Sequence, residues 1–170
     1  MALLISHLLS FAISYSAPAP ALPAWAQTQW TQAGLGTSFS RARYTKPGFL
    51  QADFNGDGKK DVALLVARTA TKSQGIVILH QGTAQYYVLG AGSESSRGIL
   101  GGDFEWVAAW GLYTDSRAFE VTISANGDID AEGGRTVRLK HPAIEILSEE
   151  SGGGLIHWNG KRYVWIHQTC

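Results

Sequence analysis

The stretch DFNGDGKKDVALLVAR, Asp53–Arg68, joins a loop crowded with acidic and amide side chains to an unbroken apolar run. From Val62 to Ala67 every residue is apolar, and turn-forming residues precede the run. So short a run, bounded in this way, reads as a β-strand buried on both faces. The loop before it poses an electrostatic problem. Asp53, Asn55, Asp57 and Asp61 alternate around Gly56 and Gly58, and three carboxylates in so small a space repel one another unless something positive sits among them.

Outward from this stretch the chain reads as short strands divided by Gly-rich turns. GIVILHQGTAQYYVLG offers strands at Ile76–His80 and Gln85–Leu89 around Gly82, a hairpin pattern. Gly90–Gly102 is rich in Gly and Ser and reads as a loop. FEWVAAWGLYT, Phe104–Thr114, suits either a strand pair or a short helix. AFEVTISANGDID alternates, with Phe119, Val121 and Ile123 on one side of an extended chain. RTVRLK and AIEIL follow as further strands. In LIHWNGKRYVWIHQ, Asn159-Gly160 suits a two-residue type I′ turn. That turn would oppose Trp158 to Lys161 and Ile156 to Tyr163, with Ile156, Trp158, Tyr163 and Trp165 sharing a face. The expected fold is therefore mainly β: a small antiparallel domain, sandwich-like or with partial propeller-like sheets, and at most one or two short helices.

Residues 1–26, MALLISHLLSFAISYSAPAPALPAWA, contain no Asp, Glu, Lys or Arg. An apolar run from Leu3 to Ile13 gives way to Ala/Pro-rich sequence ending in Ala-Trp-Ala. This pattern reads as a signal peptide cleaved after Ala26, with 27–170 as a single β domain. The run is too short to span a bilayer, so the mature chain is expected to lack a transmembrane segment and to be periplasmic or secreted. Cys170, the only cysteine, is the last residue and permits no internal disulfide. Fourteen basic residues balance fourteen acidic ones, which leaves no broad basic field for nucleic acid.

Counting Asp53 as position 1 of the acidic loop places Asn55 at 3, Asp57 at 5, Lys59 at 7 and Asp61 at 9. Side-chain oxygens at alternating positions, with the backbone carbonyl of Lys59, suit calcium, which takes six to eight oxygen ligands. Gly58 falls at the sharp turn of such a loop. Position 12, Leu64, lies inside the strand, so the loop is no EF-hand. FLQADFNGDGKKDVALLV resembles instead the FG-GAP repeat (integrin-type or VCBS-like), in which a D-x-[DN]-x-D-G-x-x-D calcium loop joins two strands. The resemblance covers about 20 residues and implies Asp53, Asn55, Asp57, the Lys59 carbonyl and Asp61 as calcium ligands. One such loop in a chain of this length excludes a complete propeller. The chain also resembles small exported bacterial proteins with a single loop of this kind and a Trp-Asn-Gly-Lys-type hairpin near the end.

Other chemistry is sparse. His80, His141, His157 and His167 show no metal-binding spacing, and no Gly-x-Ser-x-Gly elbow exists. Asp103 and Glu105, if on a strand, would share a face about 7 Å apart and could serve a hydrolase. Trp106, Trp110, Tyr113, Trp158, Tyr163 and Trp165 suit either a core or a stacking surface. The function these features point to is an exported, non-enzymatic binding or structural module with a structural calcium loop. Its expected partner is a protein or an envelope glycan. The alternatives are a periplasmic hydrolase using Asp103 and Glu105, or an inhibitor of an envelope hydrolase that inserts Ser93–Gly101 into its target.

Overall fold

The computed structural model describes residues 21–93, 98–123, 129–150 and 152–169. The chain begins with helix α1 (Ala24–Gln32) and a single turn, α2 (Leu35–Ser38), followed by β1 (Phe39–Arg41) and β2 (Phe49–Ala52). The strand anticipated from the apolar run is β3 (Asp61–Arg68), and β4 (Gln74–Leu79) and β5 (Tyr86–Gly90) form the expected hairpin. Next come β6 (Ala109–Tyr113), β7 (Arg117–Ile123), β8 (Ile129–Arg138), β9 (Ala143–Leu147), β10 (Gly153–Trp158) and β11 (Tyr163–Thr169). Among the described residues the strand pairings are antiparallel.

Two sheets stack face to face. The first runs β1-β3-β4-β5, with β2 sharing the edge of β3 that β1 also occupies. The second runs β11-β10-β9-β6. The side-chain period of two explains the layering. Ala63, Leu65, Ile76 and Ile78 point inward from the first sheet and meet Ile144, Ile146 and Ile156 of the second, all fully buried. The alternate residues Val62, Leu64, Val66, Val77 and Leu79 form a second core beneath Ala26, Trp30 and Leu35 of the helices. A third cluster, Ala143, Leu155 and Ile166, lies on the outer face of the second sheet and is covered by Ala118 and Leu139 beside the β7–β8 hairpin. The order of layers is thus helices, sheet, sheet, hairpin. Among the described residues no helix is long and apolar enough to cross a membrane.

Two local readings change. Trp158 pairs with Tyr163 and Ile156 with Trp165, so the last hairpin turns through four residues rather than two. Asn159 sets this longer turn by accepting the amides of Lys161 and Arg162 on Oδ1, each at 3.0 Å. A two-residue change of register preserves the faces, which is why Ile156, Trp158, Tyr163 and Trp165 still share one. Phe104–Thr114 yields one strand, β6, preceded by turns. The expected cleavage point after Ala26 falls inside α1, where Ala26 is fully buried and Trp25 packs on the same core.

Replacing Ile156 by Ala removes a side chain from between the two sheets and is expected to cost about 2–5 kcal/mol. Leu112→Ala, at a residue 40% exposed on the edge strand β6, should stay within about 0.5 kcal/mol. Denaturant unfolding of both variants measures the contrast.

Candidate functional site

The acidic loop is built by its own backbone. Asp53 Oδ1 accepts the amides of Gly56 (2.6 Å) and Asp57 (3.1 Å), and Oδ2 accepts that of Gly58 (2.9 Å). Asn55 Oδ1 takes the Asp57 amide and Asp57 Oδ1 the Lys59 amide, two successive Asx turns. Gly56 and Gly58 have φ of +80° and +82°, where other residues are strained. Position 56 is closed to a side chain for a second reason: its Cβ would fall within the His141 ring.

Asp61 behaves differently from the other carboxylates. It is fully buried. Its Oδ2 accepts the amides of Phe54 (3.0 Å) and Asn55 (3.3 Å), while Oδ1 accepts the amide of Gln81 (3.0 Å). One carboxylate thereby fastens the start of the loop and the β4–β5 turn to the first residue of β3. Burial, with a smaller push from Asp57, raises its pKa to about 6 against the pull of those three amides.

Behind the loop stands a polar network that sequence patterns did not single out. His80, also buried, lies between Asn55 Nδ2 (3.2 Å from Nδ1) and Tyr163 Oη (2.8 Å from Nε2). Asn55 spends its oxygen on the Asp57 amide, so its NH₂ faces the imidazole and His80 Nδ1 must accept. Nε2–H therefore donates to Tyr163, and the ring is neutral. Burial lowers the His80 pKa, while the charges of Asp57 and Asp53 pull it upward. Tyr87 and Trp158 pack against His80 at ring-centroid distances of 4.9 and 5.3 Å. No motif marks His80; only its position at the end of an apolar strand hints at burial.

Asp53, Asn55, Asp57, Lys59 and Asp61 are thus gathered within one loop. Hard oxygen donors of this kind suit calcium; Asp57 accepts one amide and keeps most of its lone pairs, whereas Asp53 and Asp61 each accept three backbone amides and keep few for an ion. Among the described residues, however, no three His, Cys, Asp or Glu side chains are arranged to hold a metal ion. The remaining sequence candidates separate. Asp103 and Glu105 lie in a turn rather than on a strand. Asp103 Oδ1 accepts the amides of Gln74 (2.8 Å) and Glu105 (3.0 Å). Trp110 and Tyr163 are buried, and Trp106, Trp158 and Trp165 are half-buried against the main core, so these aromatics fill the interior. Of Ser93–Gly101, residues 94–97 fall outside the described residues, as does Cys170. The flanks Ser93 and Leu100 are buried, and the Gly92 amide bonds the Gly102 carbonyl at 3.2 Å.

No protein-family model, curated protein or solved structure matches the chain.

Asp61→Asn retains the shape of the side chain but brings an NH₂ towards backbone donors, so it should be less stable than wild type, most of all at low pH. The pH dependence has a definite sign. The folded carboxyl holds its proton up to about pH 6, against 3.8 for the ordinary group. Its contribution to stability is fully present below pH 3.8 and is lost as pH rises through 6. In calcium-free buffer the stability gap between wild type and Asp61→Asn should therefore narrow between pH 4 and pH 6.5, by up to about 3 kcal/mol. Denaturant titrations across that range read it directly.

Proposed function

We propose that the protein is an exported β module that binds a protein or envelope polymer and whose Asp53–Asp61 loop is completed by a structural calcium ion. The observation that carries the reading is the crowding of Asp53, Asp57 and buried Asp61 on nine residues of chain. The charge of Asp57 adds a small push against ionisation of Asp61, and a divalent cation between them would offset that repulsion. Asp53, Asn55, Asp57, Asp61 and the Lys59 carbonyl would hold the ion. Calcium would supply positive charge and stiffen the loop leading into β3; it would take part in no reaction. A binding role also accords with the commitment of Asp103 to backbone amides, which leaves the Asp103–Glu105 pair poorly suited to acid–base work.

Export is part of the same proposal, with a boundary that spares α1. Ala19 and Ala21 offer the same small-residue pattern as Ala24 and Ala26. Cleavage after Ala21 would retain Leu22, Trp25 and Ala26, all of which contribute to the core under the helices. Intact-mass measurement of the protein recovered from the cell envelope or medium should give a chain starting at Leu22; a start at Gln27 would refute this boundary.

Calcium binding is tested by thermal melting. Sites of this class outside the cytoplasm have dissociation constants on the order of 0.1–1 mM. About 10 mM calcium should then stabilise the fold by roughly 1.4–2.7 kcal/mol, a Tm rise of several degrees. Asp57→Ala should abolish the response. No shift in wild type, or an equal shift in both proteins, would exclude the ion.

A further inference from the structure

The β7–β8 hairpin turns one face to the second sheet and the other to solvent. Ala118 and Val137 are cross-strand partners on the inward face, where they pack with Leu155 and Ile166. The side-chain period of two therefore sends Arg117, Phe119, Thr136 and Arg138 outward. Arg117, Thr136 and Arg138 are exposed. Phe119, at 52%, is the most exposed large apolar side chain among the described residues.

Arg117 stands directly opposite Arg138. Cross-strand Cβ atoms lie about 4.5–5.5 Å apart, and like charges so placed destabilise the pairing. Among the described residues the hairpin's ion pair joins Arg135 to Glu120, which share the inward parity of Ala118 and Val137. Neither Arg117 nor Arg138 takes part in one, and Asp115, in the connection before β7, neutralises neither. Beside this pair, Phe119 is laid across the neighbouring strand: a Cβ at position 134 would run into its Cζ. The ring therefore rests one face on Gly134 and leaves the other open. Two unneutralised guanidinium groups next to a flattened, exposed ring call for an anion attached to something that can stack.

We propose that this face binds a uronic-acid unit of an acidic polysaccharide. The carboxylate would sit between the guanidinium groups of Arg117 and Arg138, one oxygen to each, in charge-assisted hydrogen bonds that offset their repulsion. The C–H face of the sugar would lie on the open face of Phe119. Arg117 and Phe119 are two residues apart on one strand face, about 7 Å, which is the reach of a single sugar carrying its carboxylate on the ring. A ring folded down onto Gly134 offers a platform for stacking and no wedge for a lipid surface, and the paired charges select an anionic glycan over a neutral one. The inference rests on the binding-module reading and gives it a ligand class, but it uses none of the loop 53–61 side chains.

The test is ¹⁵N-resolved titration of the purified protein with trigalacturonate, in chelator because calcium would bind the sugar's own carboxylates. Maltotriose serves as the neutral trisaccharide, triglutamate as a matched anion without a ring, and phosphatidylglycerol vesicles as an anionic surface. Trigalacturonate should give saturable shifts at the Phe119 and Gly134 amides and at the side chains of Arg117 and Arg138. Maltotriose should bind at least about tenfold more weakly, the loss expected for one charge-assisted hydrogen bond. Triglutamate should bind at least about threefold more weakly for want of a stacked ring. Arg138→Gln should weaken trigalacturonate about tenfold without lowering Tm, since it relieves a like-charge pair. Phe119→Ala, at an exposed side chain, should weaken it about threefold or more. Equal affinity for trigalacturonate and either comparison ligand, shifts produced by the vesicles alone, or no saturable shift up to about 10 mM sugar overturns the proposal. Trigalacturonate binding that is unchanged in both variants refutes this face while leaving the binding-module reading intact, and the calcium response is read separately by melting.

Discussion

The carboxylate of Asp61 is the constraint on which the rest depends. It is the first residue of β3, it is fully buried, and its two oxygens take three backbone amides from two separate segments. Loops cannot bury their polar backbone without partners, so the Asp53–Asp61 loop and the β4–β5 turn can approach the core only because this side chain satisfies them. The cost is the desolvation of a carboxylate, expressed as its upward-shifted pKa. A neighbouring network of Asn55, His80 and Tyr163 continues the same logic inward with a neutral ring.

From that anchor β3 runs through the centre of the molecule, and its alternation supplies two cores at once. Ala63 and Leu65 face the second sheet, while Val62, Leu64 and Val66 face the helices. A strand apolar on both faces demands two coverings, so α1 is as necessary to the fold as the second sheet. This explains why residues that resemble the end of a leader peptide are packed: Ala26 and Trp30 shield a face that no strand covers. The β7–β8 hairpin performs the equivalent task on the far side of the second sheet.

The β4–β5 turn connects two parts of the structure. Gln81 in that turn ties it to Asp61, and the next residues, Gly82, Thr83 and Ala84, form one wall of a groove against α1. Rigidity of the wall therefore derives in part from the same carboxylate that closes the acidic loop. Of the aromatics that suited either a core or a stacking surface, Trp106, Trp110, Trp158, Tyr163 and Trp165 pack in the core between the sheets, because large rings contribute most when buried.

Much of this was legible in the residues themselves. The continuous run Val62–Ala67 specified a strand buried on both faces, the Gly82 hairpin was plain, and the spacing of Asp53, Asn55, Asp57 and Asp61 marked one loop as chemically distinct. These readings succeeded because they depend on local periodicity and on backbone preferences of neighbouring residues. What only the tertiary structure decided involved partners far apart in sequence. The tie from Asp61 to the Gln81 amide spans 20 residues and the bond from His80 to Tyr163 spans 83, while the four-residue turn at Asn159, though capped locally, follows from the register the two strands adopt. Hydrogen-bond satisfaction of a buried group is a property of the assembled surroundings, and no pattern along the chain can record it.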